Sequence, residues 1–161
     1  MFVVMTMCNP SNADAQQSGT RTITFPGGET VVETGSDTDH VIIRHASGEV
    51  AAESWCESGT FDAYVELFRT LKRVAPRGDR AAVAKLIAYP LRVYGTKAST
   101  VRTEAALLAA YDTVFTPQVL AAIRKAEPAA VFCRDGQGML GDGVVWARVS
   151  RAHARVSSIN Q

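Results

Sequence analysis

The chain has 161 residues, a formal net charge of +1, 47% hydrophobic residues and 20% charged ones. That length suits one domain, which buries roughly 70% of the surface its unfolded chain exposes, and the composition excludes a disordered chain. The near-neutral charge excludes a general electrostatic grip on nucleic acid or acidic lipid, since such partners demand a concentrated basic surface.

Residues Met1 to Cys8 form a short apolar run, and Ala13-Asp14-Ala15 has the small-x-small form of a leader cleavage site. The pattern predicts a signal peptide or its remnant over residues 1–15, cleavage before Gln16 and a periplasmic or secreted chain. No basic residue precedes the run, and it is short for a leader core. Met7 occupies the position where a lipid anchor on Cys8 would need a small residue. No other stretch approaches the ~20 apolar residues of a spanning helix, so no membrane span is expected.

Residues 16–55 read as a β-meander. Arg21-Thr22-Ile23-Thr24-Phe25 alternates, Pro26-Gly27-Gly28 turns, and Glu29 to Thr34 returns. His40 to Arg44 and Glu49 to Glu53 add two further strands across Gly35-Ser36-Asp37-Thr38 and Ala46-Ser47-Gly48. His40 and His45 read as surface or hydrogen-bonded histidines near strand ends.

The period then changes to 3.6. Thr60 is placed to cap a helix with Asp62 in its first turn, and Phe61, Tyr64, Val65, Leu67, Phe68 and Leu71 form its apolar stripe. Pro76-Arg77-Gly78-Asp79 breaks this helix, and Asp79 starts another whose face is Ala82, Val83, Leu86 and Ile87. Pro90 disfavours helix at Tyr89, so Leu91 to Tyr94 is expected to be extended. Thr103 caps a third helix running through Tyr111. Thr116-Pro117 begins a fourth with Val119, Leu120 and Ile123 buried, ended by Pro128.

A glycine-punctuated stretch follows, Phe132-Cys133-Arg134-Asp135-Gly136-Gln137-Gly138-Met139-Leu140-Gly141-Asp142-Gly143-Val144-Val145-Trp146-Ala147, read as strand, turn, strand, the second strand being Val144 to Val149. Trp146 is expected to enter the core there. A last strand runs from Arg155 to Ile159. Arg148, Arg151 and Arg155 read as a solvated hairpin end, because no stacking residues interleave them. The glycines lack the lysine and hydroxyl residues of a phosphate loop.

The element order from Phe61 to Asn160, with Tyr111-Asp112-Thr113-Val114-Phe115-Thr116-Pro117 ahead of Gly138-Met139-Leu140-Gly141-Asp142-Gly143-Val144-Val145-Trp146, resembles a bacterial, exported branch of the nuclear transport factor 2-like, cystatin-like α+β superfamily. The resemblance implies helices packed on a curved antiparallel sheet, forming a cone whose mouth often holds a pocket. Residues 56–161 would be that domain. The meander over 16–55 lies outside the usual plan, as an extension of the sheet or a small subdomain.

A pocket enzyme of the ketosteroid isomerase or polyketide cyclase type would need a carboxylate made basic by apolar walls, beside a hydrogen-bond donor. The carboxylates are Asp112, Asp135 and Asp142, and the donors Tyr89, Tyr94 and Tyr111. Turn formation accounts equally for Asp135 and Asp142, and a bond to nearby backbone amides for Asp112. No nucleophilic triad has a recognisable spacing. Cys56 and Cys133 could pair in an oxidising compartment or stay as two buried thiols. With His40, His45 and His153 they make no zinc spacing, so neither metal nor cofactor is expected.

Trp55 and Trp146, with Tyr94 and Tyr111, are the aromatic candidates for a binding surface, although core packing against the long helix suits both tryptophans. Three functions stay open. The first is an exported, non-enzymatic binding protein of the inhibitor or immunity type, recognising a protein partner or small apolar ligand, with homodimerisation through its sheet. The others are the pocket enzyme and a structural accessory of the cell envelope.

Overall fold

The computed structural model describes residues 19–151 and 153–161. The leader expected over residues 1–15, with Cys8 and Ala13-Asp14-Ala15, lies outside the described residues. Among the described residues the fold is mixed α+β, with a four-stranded antiparallel sheet, a six-stranded mixed sheet and five α-helices.

The first sheet is the expected meander: β1 (Thr20–Phe25), β2 (Gly28–Glu33), β3 (Thr38–His45) and β4 (Val50–Glu57), in chain order. Its period-two alternation sends Thr30, Val32, Val41, Ser54 and Cys56 inward. Gly28 is obligatory, since a Cβ there would lie 1.9 Å from the Arg44 carbonyl oxygen.

Helix α1 (Phe61–Val74) buries Phe61, Tyr64, Val65, Leu67, Phe68 and Leu71. Each such side chain contributes about 1.5–3 kcal/mol when fully removed from water. Thr60 precedes the helix but does not cap it through its side chain. Its hydroxyl instead donates to the Glu57 carbonyl at 2.7 Å. Asp62 in the first turn pairs with Arg21 of β1 at 2.8 Å.

After a 3-10 turn at Ala75–Arg77, α2 (Arg80–Ala84) is capped by Asp79, which accepts from the Ala82 amide at 3.0 Å. This helix is shorter than the sequence suggests. Ile87, expected on its face, opens strand β5 (Ile87–Tyr94), and Pro90 sits inside that strand after a cis peptide bond. Strand β6 (Ser99–Val101) follows. The third helix breaks in two at Ala110, giving α3 (Glu104–Ala109) and α4 (Tyr111–Val114). Helix α5 (Pro117–Lys125) starts at a Thr116 cap, with Leu120 only half-buried beside Val119 and Ile123.

The glycine-rich stretch makes three strands rather than two: β7 (Phe132–Arg134), β8 (Gln137–Leu140) and β9 (Val145–Ser150), followed by β10 (His153–Asn160). Asp135 and Gly136 take φ of 51° and 68°, as a two-residue hairpin turn of the primed type requires. The sheet order is β6-β5-β10-β9-β8-β7. The sequence reading expects an antiparallel sheet, but β5 and β10 pair in parallel. They can do so because the intervening helices and β-hairpins carry the chain back across the sheet.

Helix α1 covers one face of this sheet, above the buried Leu91, Val93, Val145, Ala147, Val156 and Ile159. Gly138 lets it approach: a Cβ there would fall 2.6 Å from the Tyr64 ring. Val32, Val41, Ile43 and Cys56 of the meander belong to the same hydrophobic core. Cys56 and Cys133 form a disulfide, 77 residues apart in sequence, that joins β4 to β7. The Cys133 amide also donates to the Ser54 hydroxyl at 3.1 Å.

Candidate functional site

The face of the six-stranded sheet turned away from α1 forms an open cleft of about 680 Å³. Strand alternation builds it. Because Leu91 and Val93 point to the core, Arg92 and Tyr94 point the other way; because Val145 and Ala147 are core, Trp146 and Arg148 face the cleft. Trp146 is therefore not the core residue expected from its apolar neighbours. A register shift between Val156 and Ser158 of β10 lets Ser157 and Ser158 both line the same cleft.

The lining is held by a network. The Trp146 indole Nε1 and the Asn160 side-chain amide both donate to the Gly143 carbonyl, which orients the indole ring. Arg148 Nε donates to Gln137 Oε1 at 3.1 Å, and the Ser157 hydroxyl donates to the Trp146 carbonyl at 3.3 Å. The terminal guanidinium nitrogens of Arg148 make no hydrogen bond among the described residues. Tyr89 donates to the Ala84 carbonyl at 3.2 Å, and burial pushes its hydroxyl pKa upward, helped by Glu104.

Charge is lopsided here. Among the described residues, Arg92, Arg134 and Arg148 line the cleft with one acid, Asp135, whose carboxylate lies 3.5 Å from Arg134. Neither Arg92 nor Arg148 joins an ion pair among the described residues.

The cleft thus gathers Tyr94, Asp135 and Trp146 from the sequence candidates, with Tyr89 beside them. The others lie elsewhere. Asp112 bonds Arg80 at 2.8 Å on the surface, not the backbone amides expected for it. Tyr111 is buried under the Arg80 guanidinium, its hydroxyl lacking a hydrogen-bond partner among the described residues. Burial raises the Tyr111 pKa, Arg80 opposing it and Asp112 and Asp79 adding to it.

Trp55, expected to pack in the core, is 59% exposed on the outer face of the meander. Its ring stacks on His40 at 4.8 Å between centroids, and His40 Nδ1 lies 3.0 Å from Glu33. Asp142 is an exposed turn residue with φ 55°, at the rim of a second, more apolar groove of about 760 Å³. That groove runs between the meander and α5, past Phe25, Ile43, Ala126, Phe132 and Met139.

Sequence reasoning missed Arg92, Arg134, Gln137, Ser157, Ser158 and Asn160, and took Arg148 as a solvated end. One signal was present. Trp146 and Arg148 are two apart in a strand, so they share a face, and an arginine between core positions must look outward.

Asp112 and Asp135 have side-chain exposures of 76% and 83%, so the apolar enclosure that isomerase chemistry needs is not built around either. The cleft can instead stack a flat group on Trp146 and hold an anion with arginine. Comparison of the chain with protein-family models, curated proteins and solved structures gives no match in any of the three.

Proposed function

We propose that this is a non-enzymatic binding protein that holds an anionic ligand, or the acidic surface of a partner, on the open face of its six-stranded sheet. One observation carries the reading: Arg92 and Arg148 flank an oriented Trp146 in a cleft with no carboxylate paired to either among the described residues. Uncompensated guanidinium groups beside a fixed aromatic ring suit recognition: Trp146 and Arg148, held by Gly143 and Gln137, are already ordered, so the side-chain ordering cost on binding falls mainly on Arg92. The reading replaces the small apolar ligand expected from sequence with a charged one.

The Cys56–Cys133 disulfide supports placing the protein in an oxidising compartment, periplasmic or secreted, since such bonds are rare in reduced cytosol. The helix-backed sheet is compatible with a nuclear transport factor 2-like domain, the meander being an addition to it. In that frame the cleft corresponds to a face left open for a partner.

The test is chromatography on immobilised poly-L-glutamate. The parent protein should elute at clearly higher salt than an R92Q/R148Q variant of unchanged circular dichroism spectrum. An R73Q/R124Q variant of the same net charge as R92Q/R148Q, substituted at exposed arginines outside the cleft, should elute later than R92Q/R148Q. Equal elution of parent and R92Q/R148Q, or an equal drop in both variants, would refute the reading.

A further inference from the structure

Resting on that reading of the cleft, we propose that its ligand is an acidic saccharide, a chain of pyranose units bearing carboxylates. Strand register supplies the geometry. Trp146 of β9 stands opposite Ser158 of β10, and Ser158 opposite Arg92 of β5, so the three lie in one row across the sheet. Neighbouring strands are about 4.8 Å apart, which sets the Arg92 backbone about 10 Å from that of Trp146. Arg148 is two residues along β9, about 6.8 Å from Trp146. A cation therefore flanks the indole ring along the strand and across it.

A sugar ring meets these requirements together. Its C–H bonds carry the partial positive charge that the face of an indole attracts. A ring carboxylate matches the planar fork of a guanidinium, which accepts it in a bidentate manner. Between Arg92 and Trp146, Ser158 offers a hydroxyl, and on β8, beyond Arg148, the amide nitrogen of Gln137 offers a donor, both for sugar hydroxyls. Tyr94, 44% exposed, offers a second stacking surface near the cleft end. The cleft is built from five strands and open to solvent along its length, which suits an extended ligand.

Nucleic acid is the competing polyanion with stackable rings. It fits less well, because its affinity scales with the number of phosphates neutralised, and among the described residues three arginines line the cleft, one of them beside Asp135. An aromatic acid would use Trp146 and one arginine but leave the serine row without partners.

The experiment is a titration of the full chain, carrying Trp55→Phe so that indole fluorescence reports Trp146, with three probes: tetragalacturonate, its methyl ester and an oligodeoxythymidylate. Tetragalacturonate should give a saturable change, with the methyl ester and the oligonucleotide each at least about tenfold weaker. In R148Q and R92Q, checked for folding by circular dichroism, tetragalacturonate affinity should fall by about tenfold. Equal affinity for acid and ester, tighter binding of the oligonucleotide, or no response to tetragalacturonate would each overturn the saccharide inference. If that happens while retention on poly-L-glutamate still depends on Arg92 and Arg148, the anionic cleft stands and only the ligand class falls. Loss of both removes the site.

Discussion

Gly138 carries more of the structure than the turn glycines around it, and for a different reason. Gly141 and Gly143 have φ of 63° and 89°, so valine at either is strained by its own backbone. Gly138 sits in a strand, yet its missing Cβ is the space occupied by Tyr64, whose hydroxyl also donates to the Gly136 carbonyl. Gly138→Ala should destabilise the fold by about 1–3 kcal/mol, read as a lower urea midpoint, by pushing α1 off the sheet. Tyr111 gives the opposite expectation. Its buried hydroxyl has no partner among the described residues, so Tyr111→Phe should leave stability unchanged or raise it by up to about 1 kcal/mol. The variant should also change alkaline behaviour. Burial raises the folded pKa of Tyr111, so the neutral form is favoured in the native state. The associated stability is fully present below the ordinary tyrosine value near 10 and is lost as pH rises through the folded value. Tyr111→Phe should flatten the fall in melting temperature above pH 10, and an unaltered slope would assign that fall to other groups.

At the level of elements, local signals and the hairpins of the meander were legible, and pairings between strands distant in sequence were not. Asp79, Thr103 and Thr116 all accept from the amide three residues on, as their positions before apolar periodic runs suggest. Removing the one ahead of Pro117, by Thr116→Ala, should cost about 1 kcal/mol in chemical denaturation. Thr60 has the same sequence signature but bonds backward to Glu57, so Thr60→Ala tests that hairpin end and not a helix cap. Only the first half of β5, Ile87 to Pro90, was hidden, because Leu86 and Ile87 continue the helical period of Val83, while the strand role of Ile87 depends on β10, some seventy residues later. The cleft was hidden for the same reason. Its residues come from five strands between Ala88 and Asn160, and only the phase of each alternation, Trp146 with Arg148 and Arg92 with Tyr94, decides which side they take.

For the whole molecule, the question is how two sheets behave as one folded unit. They share a core through Val32, Val41, Ile43 and Phe61, but β4 and β7 are neighbours without forming one continuous ladder. The Cys56–Cys133 bond spans that seam, reinforced by the bond from the Cys133 amide to Ser54 and by Thr30, whose hydroxyl donates to the Ala129 carbonyl at 2.8 Å. Closing a loop of 77 residues restricts the unfolded chain by an amount worth roughly 4 kcal/mol in the chain-entropy account. A Cys56→Ala/Cys133→Ala variant should therefore lose about that much stability, and the loss should be uneven. Helix α1 and strands β5, β9 and β10 keep their mutual packing without the bridge, whereas β1 to β3 are held to the body through β4 and the seam. Hydrogen exchange should show β1–β3 amides in the double variant exchanging faster than those of β9 and β10. If both sheets accelerate equally, the seam is not a boundary and the two sheets unfold as one cooperative unit.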